Sequence, residues 1–338
     1  MNFPLVIGHR GSPGYRPEHT ESSYLLAISQ GADAVEPDVV VTSDGVLVVR
    51  HENEISSTTD VAEHPEFRNR KTTKTVDGEK LTGWFTEDFT WKELSSLRCR
   101  ERLPKIRPEN TRYNDAESIL RLRDVLRLSD GSGVRPVIEL KHAHYFKQLG
   151  LNVAELLATE LRTARFVTGE SLTIESFELG VLAELKAMGV QAQFIFLMES
   201  SGAPADEIAE LGAAATSYAT YRESSHLTAL AGRVDGISVA KRELFTRDAL
   251  GRTTGVSDLV ARAHECGLLV YSWTLRPENR FLNPRFHRGI HPQKIGDWQQ
   301  EFSLALSSGV DGIFVDHVDL GVDARRRFMS DLGPRLDG

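Results

Sequence analysis

The chain reads as an α/β protein, a (β/α)₈ TIM barrel with an inserted segment after strand two. Three observations lead there. Short β-branched apolar runs alternate with helix-period stretches along the chain, the pattern of βα units and a parallel sheet. The apolar runs number eight, as a closed barrel needs. Several helical stretches stop at a glycine (Gly31, Gly189, Gly267 and Gly309), the usual C-terminal signal. An open doubly wound sheet is the structural rival. The glycine fingerprint that would favour it is missing, because His9-Arg10-Gly11-Ser12-Pro13-Gly14 has the wrong spacing and opens no helix at its end.

In chain order, the expected strands are Leu5–Gly8, Ala34–Val41, Pro136–Leu140, Leu172–Glu175, Gln193–Leu197, Gly236–Val239, Leu268–Trp273 and Gly312–Val315. Helical periodicity falls between most of them, over Thr20–Gln30, Ala116–Leu128, Phe146–Ala164, Phe177–Met188, Ala203–Gly212, Ser257–Cys266 and Ile295–Ser308. The tail, Arg325–Gly338, is expected to be a short fraying helix. Two segments exceed a minimal barrel. Residues 53–115 are polar with interspersed aromatics (Trp84, Phe85, Phe89, Trp91), and residues 277–294 are rich in Pro, Arg, Asn and His. Each follows a strand, which places it at the C-terminal face, where barrel enzymes build their sites. The expected organisation is therefore one domain over 1–338, with the 53–115 insertion over that face.

Bulk properties set outer limits. The chain has 338 residues, 40% of them hydrophobic and 26% charged, an ordinary globular composition. A net charge of −8 argues against nucleic acid as a partner. No apolar run approaches the length of a membrane span, so stable membrane insertion is not expected. Cys99 and Cys266 are far apart and have no metal-type spacing. The start, Met1-Asn2-Phe3-Pro4-Leu5-Val6, lacks a basic region followed by an apolar one, so the chain reads as cytoplasmic as written. A secreted chain whose signal had been removed would read the same way.

The chemistry concentrates near the N-terminus. Glu36 and Asp38 stand two apart on one strand and so share a face, and Glu139 closes the next apolar run with Lys141 on its same face. Carboxylates that converge at strand ends must protonate, pair or bind a cation. An all-oxygen set favours a hard ion, Mg²⁺ or Ca²⁺, over zinc. His9 ends strand one and His51 follows Val46-Leu47-Val48-Val49-Arg50. Two histidines flanking an acidic cluster suit paired acid and base work, because imidazole titrates near neutrality. Arg10 can present a planar fork to phosphate oxygens. Later strand ends supply Phe177 and Trp273 as candidate pocket walls, and Arg276 as a candidate contact for an anionic group. This is the equipment for metal-assisted cleavage of a phosphodiester.

These motifs together resemble the glycerophosphodiester phosphodiesterase family, in the form of its larger bacterial members with an insertion after strand two. His9-Arg10-Gly11 resembles the family's opening motif, and Arg16-Pro17-Glu18-His19-Thr20 its Arg-Pro-Glu-Asn-Thr. Glu36-Pro37-Asp38 resembles its Glu-x-Asp, and His51-Glu52-Asn53-Glu54-Ile55-Ser56-Ser57-Thr58 its His-Asp-x-x-Leu-x-Arg-Thr. Ile138-Glu139-Leu140-Lys141, Glu175-Ser176-Phe177, Trp273-Thr274 and Gly309-Val310-Asp311-Gly312-Ile313 resemble later strands. The resemblance implies one divalent cation on Glu36, Asp38 and Glu139, catalytic His9 and His51, and phosphate contacts from Arg10 and Lys141. The departures are His19 for Asn, Glu52 for Asp and Ser57 for Arg.

The expected reaction is hydrolysis of a glycerophosphodiester to an alcohol and glycerol 3-phosphate by in-line attack. The small-molecule diester is the expected partner. Two alternatives stay open. One is a phospholipase D-like activity on lysophospholipids or sphingolipids. The other is a barrel that binds phosphodiesters without turnover.

Overall fold

The computed structural model describes residues 3–164 and 169–331. Its centre is the expected closed barrel. The strands are β1 (Leu5–His9), β2 (Ala34–Glu36 and, beyond Pro37, Asp38–Val41), β3 (Arg135–Leu140), β4 (Gly169–Ser176), β5 (Ala192–Met198), β6 (Gly236–Ala240), β7 (Leu269–Leu275) and β8 (Gly312–Val315). Each pairs in parallel with its neighbour, and β8 pairs back onto β1 to close the ring. Pro37 interrupts β2 because it has no N–H, but its carbonyl accepts from the Glu139 amide at 3.0 Å, so pairing to β3 continues.

Strand alternation sorts the side chains into two sets. Ile7, Ala34, Val137, Ile195, Tyr271 and Phe314 form one buried cluster, which fills the barrel. Their sequence neighbours Val6, Val35, Ile138, Phe194, Val270 and Ile313 belong to the larger core packed under the helices. Burying each large apolar side chain is worth about 1.5–3 kcal/mol. Two residues beyond an interior residue, the chain again points inward. Those next positions are His9, Glu36, Glu139, Leu197, Trp273 and Asp316. Four of these six, His9, Glu36, Glu139 and Asp316, are titratable and stand immediately above an apolar plug, at the C-terminal mouth.

Several elements differ from expectation for local reasons. The stretch Phe146–Ala164 is two helices, Ala143–Gln148 and Val153–Ala164. Gly150 turns the chain with φ 80°, and Asn152 Oδ1 accepts from the Ala154 amide at 3.0 Å to restart it. The helix expected from Ala116 begins at Leu122, where Asp124 accepts from the Arg121 amide. A strand, Leu47–Val49, runs antiparallel to the second part of β2, and a hairpin of Phe245–Arg247 and Thr253–Val256 follows β6. Helices Tyr218–Tyr221 and Ser224–Leu230 were also not expected. The last helix is Val318–Asp331, starting before Arg325, and 332–338 lie outside the described residues.

Residues 53–115 pack onto the barrel through Trp84, Phe85 and Phe89, which share the larger core with β2 and β3. Arg50, 1% exposed, ties the start of this segment down by donating to the carbonyls of Glu18 (2.9 Å) and Thr58 (3.2 Å). Within the segment, a hairpin of Thr72–Val76 and Glu79–Gly83 reaches the loop after β3, where Asp77 Oδ2 lies 2.5 Å from His142 Nδ1.

Candidate active site

A turn of unusual backbone opens the site. Arg10 and Gly11 take φ of 59° and 93°, and a Cβ on Gly11 would lie 2.5 Å from Ser23 Oγ. A non-glycine residue at positive φ is strained. Here the turn aims the Arg10 amide at Glu36 Oε2 (2.8 Å). The guanidinium pairs with Glu18 through Nη1 at 3.0 Å and with Asp38 through Nε at 2.9 Å.

The strand register gathers the carboxylates. His9 lies opposite Glu36, Asp38 opposite Glu139, and Glu139 opposite Glu175. Glu36, Glu139 and Glu175 each offer an oxygen within 4.8 Å of the others, and all three are buried. Burial and mutual repulsion push Glu36 and Glu175 well above the usual carboxylate range. Burial pushes Glu139 up to about 8 against the pull of Lys141. Among the described residues, Glu36 Oε1 and Glu175 Oε2 have no hydrogen-bond partner. Buried, repelling, unpartnered oxygens fit a hard divalent cation.

Asp38 lies beside this group and is bonded differently. Its Oδ2 meets Arg10 Nε and His19 Nε2, each at 2.9 Å, and its Oδ1 is 3.2 Å from Lys141 Nζ. Despite its burial, Lys141 and Arg10 hold it well below the ordinary range. Lys141 also bonds Glu139 at 2.5 Å. His19, where the family resemblance has Asn, is fully buried, and its other ring nitrogen lies 2.8 Å from the Tyr24 hydroxyl.

Each of the two expected proton-transfer histidines has a carboxylate on Nδ1. His9 Nδ1 lies 2.8 Å from Asp316 Oδ1, and His51 Nδ1 contacts Glu52 Oε1. A carboxylate at Nδ1 assigns the proton to that nitrogen and leaves Nε2 with its lone pair. Burial and Arg10 lower His9 to about 4; burial, Arg10 and Lys141 lower His51 to about 3. Both rings are therefore neutral near pH 7.

His9, His51, Arg10, Lys141, Glu36, Glu139, Phe177, Trp273 and Arg276 all line one cavity of about 840 Å³ at the barrel mouth, and Glu175 joins them. Phe177 and Trp273 meet edge to face at 5.8 Å. Arg276 Nε is taken by Asp316 Oδ2 at 2.6 Å. The sequence reasoning assigned no role to Glu175, Asp316, Glu18, Arg102 or Arg107. For Glu175 a signal existed, since it stands one residue from the end of β4 as Glu139 does in β3. Asp316 directly follows β8, but nothing local pairs it with His9.

Glu178, at the edge of the same cavity, is 4% exposed and accepts from the His144 amide at 2.8 Å. Burial, then Asp77 and Asp206, pushes it up to about 8. The folded chain thus keeps a proton that the unfolded chain loses above about pH 4.5. Stability falls as pH rises through that window, by up to about 1.4 kcal/mol per unit, and the loss is complete above about 8. Glu178→Gln is expected to flatten this slope. Denaturation midpoints at pH 6 and 9 check it, and parallel curves for the two proteins would contradict it.

A model of the glycerophosphoryl diester phosphodiesterase family matches residues 9–320. A glycerophosphodiester phosphodiesterase of Arabidopsis thaliana is 30% identical over 336 residues, covering 93% of this chain and 83% of its own. A solved chain from Silicibacter pomeroyi superposes with a TM-score of 0.67 at 21% identity, covering 98% of this chain and 95% of that one. An Oleispira antarctica phosphodiesterase, solved with the product sn-glycerol-3-phosphate, does so with a TM-score of 0.61 at 20% identity, covering 95% and 96%.

Proposed function

The chain belongs to the glycerophosphoryl diester phosphodiesterase family, and from that premise we propose that it hydrolyses glycerophosphodiesters to an alcohol and glycerol 3-phosphate with a divalent cation as cofactor. The observation that carries this is the ring of His9, His51, Arg10, Lys141, Glu36, Glu139 and Glu175 around one cavity. Glu36, Asp38 and Glu139 would hold the cation, Mg²⁺ or Ca²⁺, Asp38 through the Oδ1 that lies 3.2 Å from Lys141 Nζ, and Glu175 would add a further oxygen. When bound, the ion supplies Lewis-acid stabilisation of charge on a phosphoryl oxygen.

The chain's own residues do the rest. Arg10 donates from Nη1 to Glu18 and sits against Asp38 as an ion pair through Nε, which leaves Nη2 for a phosphoryl oxygen. Lys141 adds a second positive charge. His9 takes the proton from the substrate's vicinal hydroxyl, whose oxygen attacks phosphorus in line. His51 gives a proton to the departing alcohol oxygen as its bond to phosphorus breaks. The negative charge of the bound diester favours the imidazolium that this donation needs. Intramolecular attack reaches effective molarities on the order of 10⁵–10⁸ M, which favours a cyclic phosphate over direct attack by water. Water then opens the ring with the two histidines exchanging roles. Phe177 and Trp273 wall the pocket, and Arg276 contributes through Asp316 and the anionic end of the substrate. Residues 1–338 work as one domain, with 53–115 over the mouth.

The test is turnover of glycerophosphocholine, read as glycerol 3-phosphate, in chelator, in Mg²⁺ and in Ca²⁺. Product only with cation is expected, and the better ion names the cofactor. No product with either ion would overturn the proposal. The apolar part of the cavity wall, with Val76, Leu81, Leu197 and Ile208, favours lysophospholipids as a second substrate class. Release of choline from a lysolipid but not from its deacylated diester would select it. Among the described residues, no helix is long and apolar enough to cross a membrane.

A further inference from the structure

Behind each histidine–carboxylate pair stands an arginine, and both arginines come from one short stretch of the insertion. Arg102 grips Glu52 through two bonds, Nη1 to Oε1 at 2.8 Å and Nη2 to Oε2 at 2.5 Å. The same guanidinium grips Glu18 at 2.6 and 2.7 Å, and Glu18 in turn holds Arg10. Arg107 donates to Asp316 Oδ2 at 2.7 Å, to Glu278 at 2.7 Å and to the Pro13 carbonyl at 3.0 Å. The stretch between them is itself built. Glu101 accepts from the Leu103 amide (2.7 Å) and from Asn110 Nδ2 (3.0 Å), and the Ile106 and Arg107 amides both return to the Leu103 carbonyl at 2.8 Å.

We propose that Arg102 and Arg107 are positioning residues, through which one stretch of the insertion sets both proton-transfer histidines: Arg102 through Glu52 to His51, and Arg107 through Asp316 to His9. This rests on the roles given to those histidines above. The physical reason is the tautomer. A carboxylate drawn out of water, wholly at Asp316 and partly at Glu52, takes up a proton more readily when it has no cation beside it, and then becomes a donor. Facing imidazole Nδ1, it would then move the ring proton of His9 to Nε2, where the base needs its lone pair, and would no longer support the imidazolium that His51 needs as the acid. The arginines keep Glu52 and Asp316 as ionised acceptors, which leaves Nε2 of His9 free to take a proton and supports the charged ring of His51 that gives one. Each guanidinium also fixes its carboxylate from a second direction, so the ring cannot swing.

The two residues differ in reach. Asp316 keeps Arg276 when Arg107 is lost, so Arg107→Gln is the milder change. Arg102 also supports Arg10 through Glu18, so its loss touches phosphate binding as well as proton transfer.

The test is a pair of double-mutant cycles on the cation-loaded enzyme with glycerophosphocholine. Arg102→Gln is expected to lower kcat by about 10–100-fold and Arg107→Gln by about 10-fold. In a His51→Ala background the kcat loss of Arg102→Gln disappears, while the KM increase carried by Glu18 and Arg10 remains. In a His9→Ala background the loss of Arg107→Gln disappears. Nitrogen-15 NMR of the histidines gives a readout apart from activity: of the two catalytic rings, Arg102→Gln shifts His51 more than His9, and Arg107→Gln shifts His9 more than His51. Losses that multiply in the double variants, or ring signals that do not move, would overturn the proposal. Should the glutamine variants fail to fold, Arg102→Lys and Arg107→Lys keep the charge but not the fork, and serve in the same cycles. An inactive wild-type enzyme would instead refute the function proposed above.

Discussion

Alanine at His9 or at His51 is expected to lower kcat by about 10²–10⁴-fold, the usual contribution of one positioned proton-transfer group. Each ring lines the cavity with Nδ1 turned to a carboxylate and Nε2 without a partner among the described residues. Neither ring belongs to the carboxylate group, so KM should move much less than kcat. The two losses should differ with the leaving group. A p-nitrophenyl diester departs without a proton, so the variant that lacks the acid recovers most of its rate on that substrate. The variant that lacks the base recovers little. With His51 as acid, His51→Ala is the one rescued. Near-normal turnover by His9→Ala on glycerophosphocholine would remove it from the mechanism.

The second large effect concerns the buried carboxylates. Chelation should abolish turnover and lower thermal stability together. A ligand at about 100 times its Kd stabilises a fold by about 2.7 kcal/mol. With roughly 2.1 cal/mol/K of unfolding entropy per residue, a chain of 338 residues gains about 4 °C in Tm. Glu175→Gln provides a test with opposite signs in its two halves. Without cation it should raise Tm, because one fewer carboxylate has to be kept protonated beside Glu36 and Glu139. With cation it should respond less than the wild type. A variant that is less stable without cation and responds fully to the ion would remove Glu175 from the site.

How much of this was legible before folding follows from the range of the forces involved. The barrel was visible because a strand writes its two faces into alternate residues and a helix writes its face into every third and fourth. That local rule places Ile7 and His9, Ala34 and Glu36, and Val137 and Glu139 on one inward face each, so the residues of the site's polar layer could be named from their strands. The same rule hid Gly150, which splits a helix that periodicity alone would continue. It also missed the hairpin after β6, whose strands are only three and four residues long.

By itself, then, the sequence determined the barrel, its mouth and most of the groups that face the cavity. The tertiary structure decided their partners. His9 meets Asp316 across 307 positions, Arg102 meets Glu52 across 50, and Arg107 meets Glu278 across 171. A buried charge must find an opposite charge or a bond, but any of many acids or bases could satisfy it. No local pattern records which one does. The choice follows from barrel closure, which brings β8 beside β1, and from the packing of residues 53–115 against the barrel.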